Sequence, residues 1–297
     1  MVKDTHHHNN SHLPVLLEAS IKFLAPKQGE SYLDLTAGYG GHASEVLHKV
    51  DDVKKMTLVD RDINAIKSLK QTNLKDANII HMDFAGACKK LVEDKQKFDM
   101  IMIDLGVSSP HLDNGERGFS FMTNAKLDMR MDESQALTAD TIVNSYSEQD
   151  LAEILKGFGE EPKAKIIAKA IVENRPLHST IELAGIVEKI YGRRGKKHPA
   201  TRTFQALRIA VNQELQQLES VLLLLPRLLN IGGRAVIISF HSLEDRMVKR
   251  SFVEGSRNGY ESIYRVLNKK PISGANEDVF NRRARSAKLR AVIKINN

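Results

Sequence analysis

Asp34, Gly38, Gly40 and Gly41 stand together in the stretch DLTAGYGGHA, and one carboxylate beside three glycines points to nucleotide-type chemistry. Gly38, Gly40 and Ala43 satisfy G-x-G-x-x-G/A, in which a tight turn lets backbone approach a pyrophosphate at a helix N-terminus. Taken alone, the same glycines also read as a plain strand-to-helix connection. Asp60 follows Gly38 by roughly 20 residues, the interval expected of a carboxylate on a ribose diol. Dinucleotides and S-adenosylmethionine both carry such a diol, and Asp34 separates them. A carboxylate beside a pyrophosphate is repelled, whereas one beside the ammonium of S-adenosylmethionine is attracted. A nicotinamide oxidoreductase is thereby disfavoured. Farther along, HMDF places Asp83 and Phe84 where an adenine could be hydrogen-bonded and packed.

These residues need strands to hold them. SYLDLTAG from Ser31, MTLVD from Met56, NIIHMD from Asn78 and FDMIMIDLG from Phe98 are short apolar or β-branched runs separated by helical segments. Such a βαβ series predicts an α/β fold with a parallel sheet and ligand chemistry at the carboxyl ends of the strands. A fifth strand, RAVIISFHS from Arg234, comes only after more than a hundred intervening residues, and ESIYRVL and KLRAVIKI are expected to close the sheet edge as a pair. The interval reads as an inserted, all-helical subdomain. Ser147 with Asp150 and Ser179 with Glu182 have the spacing of helix starts, and Pro176 limits the helix carrying Ile166, Ile167, Ala170 and Ile171. Phe204, Leu207, Val211, Leu215, Leu218, Leu222 and Leu225 recur at three- and four-residue steps, predicting one exit helix back to the sheet. The expected division is residues 1–112 with 206–297 for the sheet domain and 113–205 for the insertion.

Bulk properties exclude several classes. The single Cys88 rules out an internal disulfide or a cysteine metal cluster and suits a reducing cytosol. No His/Asp/Glu set has metalloenzyme spacing, and His6, His7 and His8 read as a solvated tail. The polar N-terminus lacks an apolar signal region and the run Val221 to Leu225 is too short to cross a bilayer, so a cytoplasmic protein without a membrane segment is expected. The formal net charge is +7 and strongly segregated. Lys189 to Gln213 holds seven basic residues, Lys189, Arg193, Arg194, Lys196, Lys197, Arg202 and Arg208, with no acid. Asn281 to Asn297 holds six more, Arg282, Arg283, Arg285, Lys288, Arg290 and Lys294, again with no acid. Segregation of this kind is what a polyanion footprint requires, and nucleic acid is the expected partner.

HLPVLLEA from His12, DLTAGYGGH, LVDRD, DLGVSS from Asp104, ERGFSF with LDMRMD, HPATRTFQALRI from His198 and SFHSLEDRMVKR from Ser239 span nearly the whole chain. Together they resemble the family of ribosomal RNA small subunit methyltransferase H, also called MraW. The resemblance implies a class I S-adenosylmethionine-dependent methyltransferase fold, Rossmann-like, with an inserted helical domain. It implies methylation of N4 of a cytidine in the decoding region of 16S ribosomal RNA, with the small ribosomal subunit as partner; for the protein itself a monomer and a homodimer are both open. Cofactor contacts are implied for Gly40, Gly41, His42, Asp60, Phe84 and Asp104, beside Asp34, Gly38 and Asp83 read above. His111 departs from the family, standing where many members carry Gln, and its imidazole can donate or accept one hydrogen bond to the cofactor. Ala37 and Tyr39 also differ from the residues frequent in the family.

The reaction needs a cytosine N4 lone pair in line with an activated methyl. An exocyclic amine conjugated to its ring is a weak nucleophile, so an acceptor on its N–H must localise that lone pair. Asp104, at the place where amino-methylating enzymes often carry D/N-P-P-Y/F, is the candidate acceptor; a purely structural or cofactor-binding carboxylate is the competing role. Phe240, His241 and Ser242 are expected to end the fifth strand near the cytosine, and Arg193, Arg194, Lys196, Lys197, His198 and Arg202 to contact RNA backbone. A non-catalytic ribosome-assembly factor on the same scaffold is the alternative function.

Overall fold

The computed structural model describes residues 14–106, 115–192 and 198–297. They fall into two compact units: residues up to Leu105 together with Val221–Asn297, and the contiguous stretch Gly106–Ser220.

The first unit is the expected Rossmann-like α/β sheet. Its strands are β1 (Tyr32–Asp34), β2 (Met56–Asp60), β3 (Asn78–His81), β4 (Phe98–Asp104), β5 (Leu229–Ser239), β6 (Tyr264–Val266), β7 (Ile272–Ser273) and β8 (Lys288–Lys294). They lie in the order β3-β2-β1-β4-β5-β8-β6, with β7 paired to β8. The first five are parallel, and β8 runs antiparallel to both β5 and β6. Parallel central strands are covered on both faces, which is why MTLVD and FDMIMID are nearly continuous apolar runs. Alternate residues then share a face. Tyr32, Met56, Leu58, Met100, Met102, Val236, Ile238, Leu289 and Ala291 form one buried layer. The chain runs outward from β1 through α2 (Gly41–Val50) and α3 (Ile63–Leu69) to β2 and β3, and returns through α4 (Phe84–Glu93) to β4 on the other side of β1. Strand order therefore reverses between β1 and β4, the position at which doubly wound sheets open a crevice at their carboxyl ends. The expected closing pair is present, with Tyr264 opposite Lys294, although β7 and a short helix intervene in sequence.

The second unit is helical: α5 (Ala139–Ser145), α6 (Glu148–Gly159), α7 (Ala164–Glu173), α8 (Thr180–Tyr191), α9 (Thr201–Asn212) and the start of α10 (Glu214–Leu228). Its starts are capped as the sequence indicates. Ser147 Oγ accepts the Asp150 N–H at 3.1 Å and Ser179 Oγ the Glu182 N–H at 3.3 Å. Apolar faces of these helices, among them Ile142, Leu151, Leu155, Ile167, Ile171, Leu183, Val187 and Leu207, make its core.

Two expectations change. The single exit helix is two helices, because Gln213 adopts φ 51° and ends α9. Buried Asn212 fixes that break: its Nδ2 donates to the Met129 carbonyl at 2.8 Å and its Oδ1 accepts the Met131 N–H at 2.9 Å. Arg208 spans the joint to Glu214 through two 2.8 Å bonds. The expected boundary at 205/206 falls inside α9, whose Phe204, Ala206, Leu207 and Val211 all pack in the helical core; the unit runs to Ser220.

Candidate cofactor site and its carboxylates

Two carboxylates meet where the strand order reverses. Asp34 ends β1, which pairs with β4 through Tyr32↔Met100 and Asp34↔Met102, and Asp104 ends β4 two residues beyond that register. Asp34 is only 2 % exposed. Its Oδ2 accepts the Tyr32 hydroxyl at 2.8 Å and its Oδ1 the Thr36 N–H at 3.1 Å. Burial nevertheless dominates and raises its pKa from 3.8 to about 7. Asp104 is pushed well above the carboxylate range, first by burial and then by the charges of Asp34 and Glu244. Its N–H donates to Thr36 Oγ1 at 2.6 Å, and its buried Oδ1 has no hydrogen-bond partner among the described residues. Like charges held together out of water are unfavourable until a cation joins them. An orphaned carboxylate oxygen beside a second buried carboxylate thus fits a cationic cofactor and opposes a pyrophosphate.

The glycine turn lies directly behind. Gly38 and Gly40 have φ 52° and 84°, and Gly40 is the residue before α2. A Cβ on Gly41 would come within 2.5 Å of Pro14 Cγ, so the turn is covered by the segment preceding α1 (Leu17–Leu24). His42 belongs to that cover. Its imidazole is buried with Nε2 3.1 Å from the Val15 carbonyl oxygen, and burial lowers its pKa to about 4, which keeps it neutral. Asp60, at the end of β2, accepts the Gly38 N–H at 2.7 Å on Oδ2 and the Asp62 N–H at 2.8 Å on Oδ1. One carboxylate therefore ties the turn after β1 to the turn after β2. Asp83 caps α4, accepting the Gly86 N–H at 2.9 Å, and half-buried Phe84 opens that helix.

Phe240, His241 and Ser242 are placed differently from the expectation. β5 ends at Ser239; Phe240 is in the turn, His241 is the cap of α11 (Ser242–Glu254), and Ser242 is its first residue. Buried Glu244 closes a capping box, accepting the Phe240 N–H at 2.8 Å and the His241 N–H at 3.3 Å on Oε2. The spacing His241-x-x-Glu244 was the available sequence signal for this cap, and Tyr32 and Thr36 are further members of the site that strand-end reasoning passes over.

The basic segments divide into bound and displayed charges. Arg290 Nε lies 2.6 Å and Lys288 Nζ 3.1 Å from the Asp245 carboxylate, and Lys294 Nζ donates to the Pro226 carbonyl at 2.7 Å and the Leu229 carbonyl at 3.1 Å. Three of the six C-terminal cations are thereby structural, whereas Arg282 and Arg285 are exposed. In the helical unit Arg208 is paired with Glu214, and His198 stacks on Phe121 at 4.2 Å with Nε2 2.7 Å from Glu188. Arg202 is exposed. Arg193, Arg194, Lys196, Lys197 and His111 lie outside the described residues. Among the described residues no helix is long and apolar enough to cross a membrane.

Tyr32 sets the charge of Asp34, because a hydroxyl donor favours the ionised carboxylate. Affinity for a cationic ligand is therefore expected to rise as pH increases through about 7, where Asp34 loses its proton. Tyr32→Phe removes the donor, raises the Asp34 pKa and moves that rise to higher pH. For the protein alone the sign is opposite: between 3.8 and about 7 the unfolded chain ionises Asp34 while the folded chain holds its proton, so this group's contribution to stability falls with rising pH. Binding isotherms across this range for both proteins check the shift, and superimposable profiles would remove Asp34 from the site.

The sequence pattern of the MraW methylase family matches residues 9–295. A protein of Synechocystis sp. named ribosomal RNA small subunit methyltransferase H is 48 % identical over 294 residues, covering 96 % of this chain and 93 % of its own. A protein of the same name from Rickettsia bellii is 44 % identical over 306 residues, covering 96 % and 99 %. Among solved structures, a putative rRNA methylase from Clostridium thermocellum is 12 % identical, covers 96 % of this chain and 98 % of its own, and has a TM-score of 0.43. On a match that spans nearly all of its length, the chain belongs to the MraW methylase family.

Proposed function

We propose that the protein methylates N4 of a cytidine in 16S ribosomal RNA, using S-adenosylmethionine. Membership of a methylase family supplies the reaction class, and the names of its relatives point to the small-subunit RNA. The observation that carries the reading is the Asp34 and Asp104 pair at the strand reversal, whose orphaned oxygen and raised pKa values suit a cation. The bound cofactor supplies a methyl group already activated on a sulfonium.

The chain supplies position and field. Asp34, with the glycine turn, holds the methionine end; Asp60 accepts the ribose hydroxyls with the lone pairs that its backbone bonds leave; Asp83 and Phe84 flank the adenine, with His111 as a further contact. Asp104, ionised beside positive charge, accepts an N–H of the target amine and localises its lone pair. Phe240, in the turn after β5, and His241, at the cap of α11, contact the cytosine ring or its flanks. Arg193, Arg194, Lys196, Lys197 and Arg202 position the phosphates. A general base is not required, since the methylated, protonated amine is acidic enough to release its proton to water.

Purified protein incubated with methyl-labelled cofactor and small-subunit RNA should label one cytidine at N4, located by nuclease digestion and mass mapping. The same site should be unmethylated in cells lacking the protein. Label in no RNA, with the cofactor bound, would instead favour the non-catalytic assembly factor.

A further inference from the structure

The segment between β7 and β8 places an unsupported aromatic at the working end of the sheet. β8 begins at Lys288, opposite Ser239, the last residue of β5, so the chain just before β8 emerges at the carboxyl ends of the parallel strands. Those are the ends that carry Asp34 and Asp104. In this segment Phe280 is 99 % exposed and Val279 61 %.

The backbone beneath them is fixed. Ala284 and Ala287 are buried, and a Cβ on Gly274 would fall 2.0 Å from the Ala284 carbonyl oxygen, so the two sides of the loop are in contact. Asp278 Oδ2 accepts the Leu16 N–H at 3.1 Å, joining the loop to the segment whose Pro14 and Val15 cover the glycine turn. Gly274 N–H donates to the Ala287 carbonyl at 2.9 Å and Asn281 N–H to the Asp278 carbonyl at 3.1 Å. A loop anchored at both sides that still holds a phenyl ring in water forgoes the stabilisation its burial would give. Exposed Arg282 and Arg285 follow within five residues, and exposed Lys269 and Lys270 precede β7 at the same end. An apolar protein partner would need a broader patch; a single ring beside guanidinium groups matches a nucleotide, base on the ring and phosphate on the cations.

We infer that Phe280, with Arg282 and Arg285, is a platform on which a base of the single-stranded RNA stacks beside the cytidine to be methylated. This deepens the RNA-methylating reading given above and rests on it for the identity of the substrate. The platform orders the strand next to the reacting nucleotide and takes no part in methyl transfer itself. Because a π-face exists on every base, it contributes affinity and register with little sequence preference.

The test uses the full chain and a short single-stranded RNA of decoding-region sequence in which the nucleotide beside the target cytidine is a fluorescent adenine analogue. Stacking on Phe280 should quench the fluorophore. Phe280→Ala should abolish the quench and weaken binding by about 5- to 100-fold, the range for one base on one aromatic ring. Phe280→Trp should retain both. Replacing Arg282 and Arg285 together by Gln should keep the quench and reduce the slope of log affinity against log salt by about 1.4, two single-strand phosphate contacts. Cofactor affinity should be the same in every variant. Unchanged RNA affinity and quench in Phe280→Ala would overturn the platform. Wild-type protein that binds and quenches this RNA yet transfers no methyl would support the platform and overturn the proposed reaction, so the two failures are distinguishable.

Discussion

Asp104→Asn is expected to lower single-turnover methyl transfer by about 10²–10³, the loss for one preorganised electrostatic contact, while cofactor affinity stays within a few-fold. Two features of the site make these readouts diverge. The Asp104 Oδ1 has no partner among the described residues, so it is available to the target amine, and an amide offers a weaker, neutral acceptor in its place. The bonds that Asp34 accepts from the Tyr32 hydroxyl and the Thr36 N–H are untouched by the substitution, so Asp34 continues to hold the cation. Rapid-quench methylation and calorimetry measure the two quantities. Equal losses in both would make Asp104 a cofactor ligand and leave the acceptor of the amine proton to be found elsewhere.

Asp60→Ala should weaken cofactor binding by about 1.5–3 kcal/mol, the scale for hydrogen bonds to a charged group, or roughly ten- to hundredfold. The structure adds a second effect, since Asp60 accepts the N–H groups of Gly38 and Asp62 and the alanine leaves both without that acceptor. A lower melting temperature is therefore expected together with the weaker binding. Asp60→Asn separates the two: its one carbonyl retains one of the backbone bonds while its amide faces the other donor. An affinity equal to wild type in the alanine variant would remove the ribose contact from Asp60 and leave it the turn alone.

The local parts of this architecture were legible in the sequence. Apolar runs gave the central parallel strands because β2 and β4 are buried on both faces, and Ser147 and Ser179 marked helix starts because the cap and the N–H it satisfies are three residues apart. Strand-end carboxylates were legible for the same reason: Asp34, Asp60 and Asp104 follow directly from where the runs stop. What was not legible depends on partners far along the chain. The apolar spacing continues through Gln213 without interruption, and the break there is made by Asn212 reaching Met129 and Met131, some eighty residues earlier. Likewise Lys288 and Arg290 count as free positive charge until Asp245 is seen beside them. The Tyr32 hydroxyl looks like one more core residue until its bond to Asp34 gives it a part in setting charge.

The discontinuity of the sheet unit has a consequence for how the protein is made. Residues up to Leu105 contribute β1 to β4, but β5, β6 and β8 come from the stretch after Val221, and the helical unit lies wholly between. On the ribosome, Gly106–Ser220 is therefore complete while β4 still has one unpaired edge and the segment at Pro14 to Leu16 has no Asp278 to accept its backbone N–H. Domains fold as units once their residues have emerged, so the helical unit is the first that can do so, and the four earlier strands must wait with an exposed apolar edge. The segment that covers the glycine turn is tied to the far end of the polypeptide through Asp278, and a nascent chain stopped before β8 carries Asp34, Asp60 and Asp104 without the strand that pairs with β5.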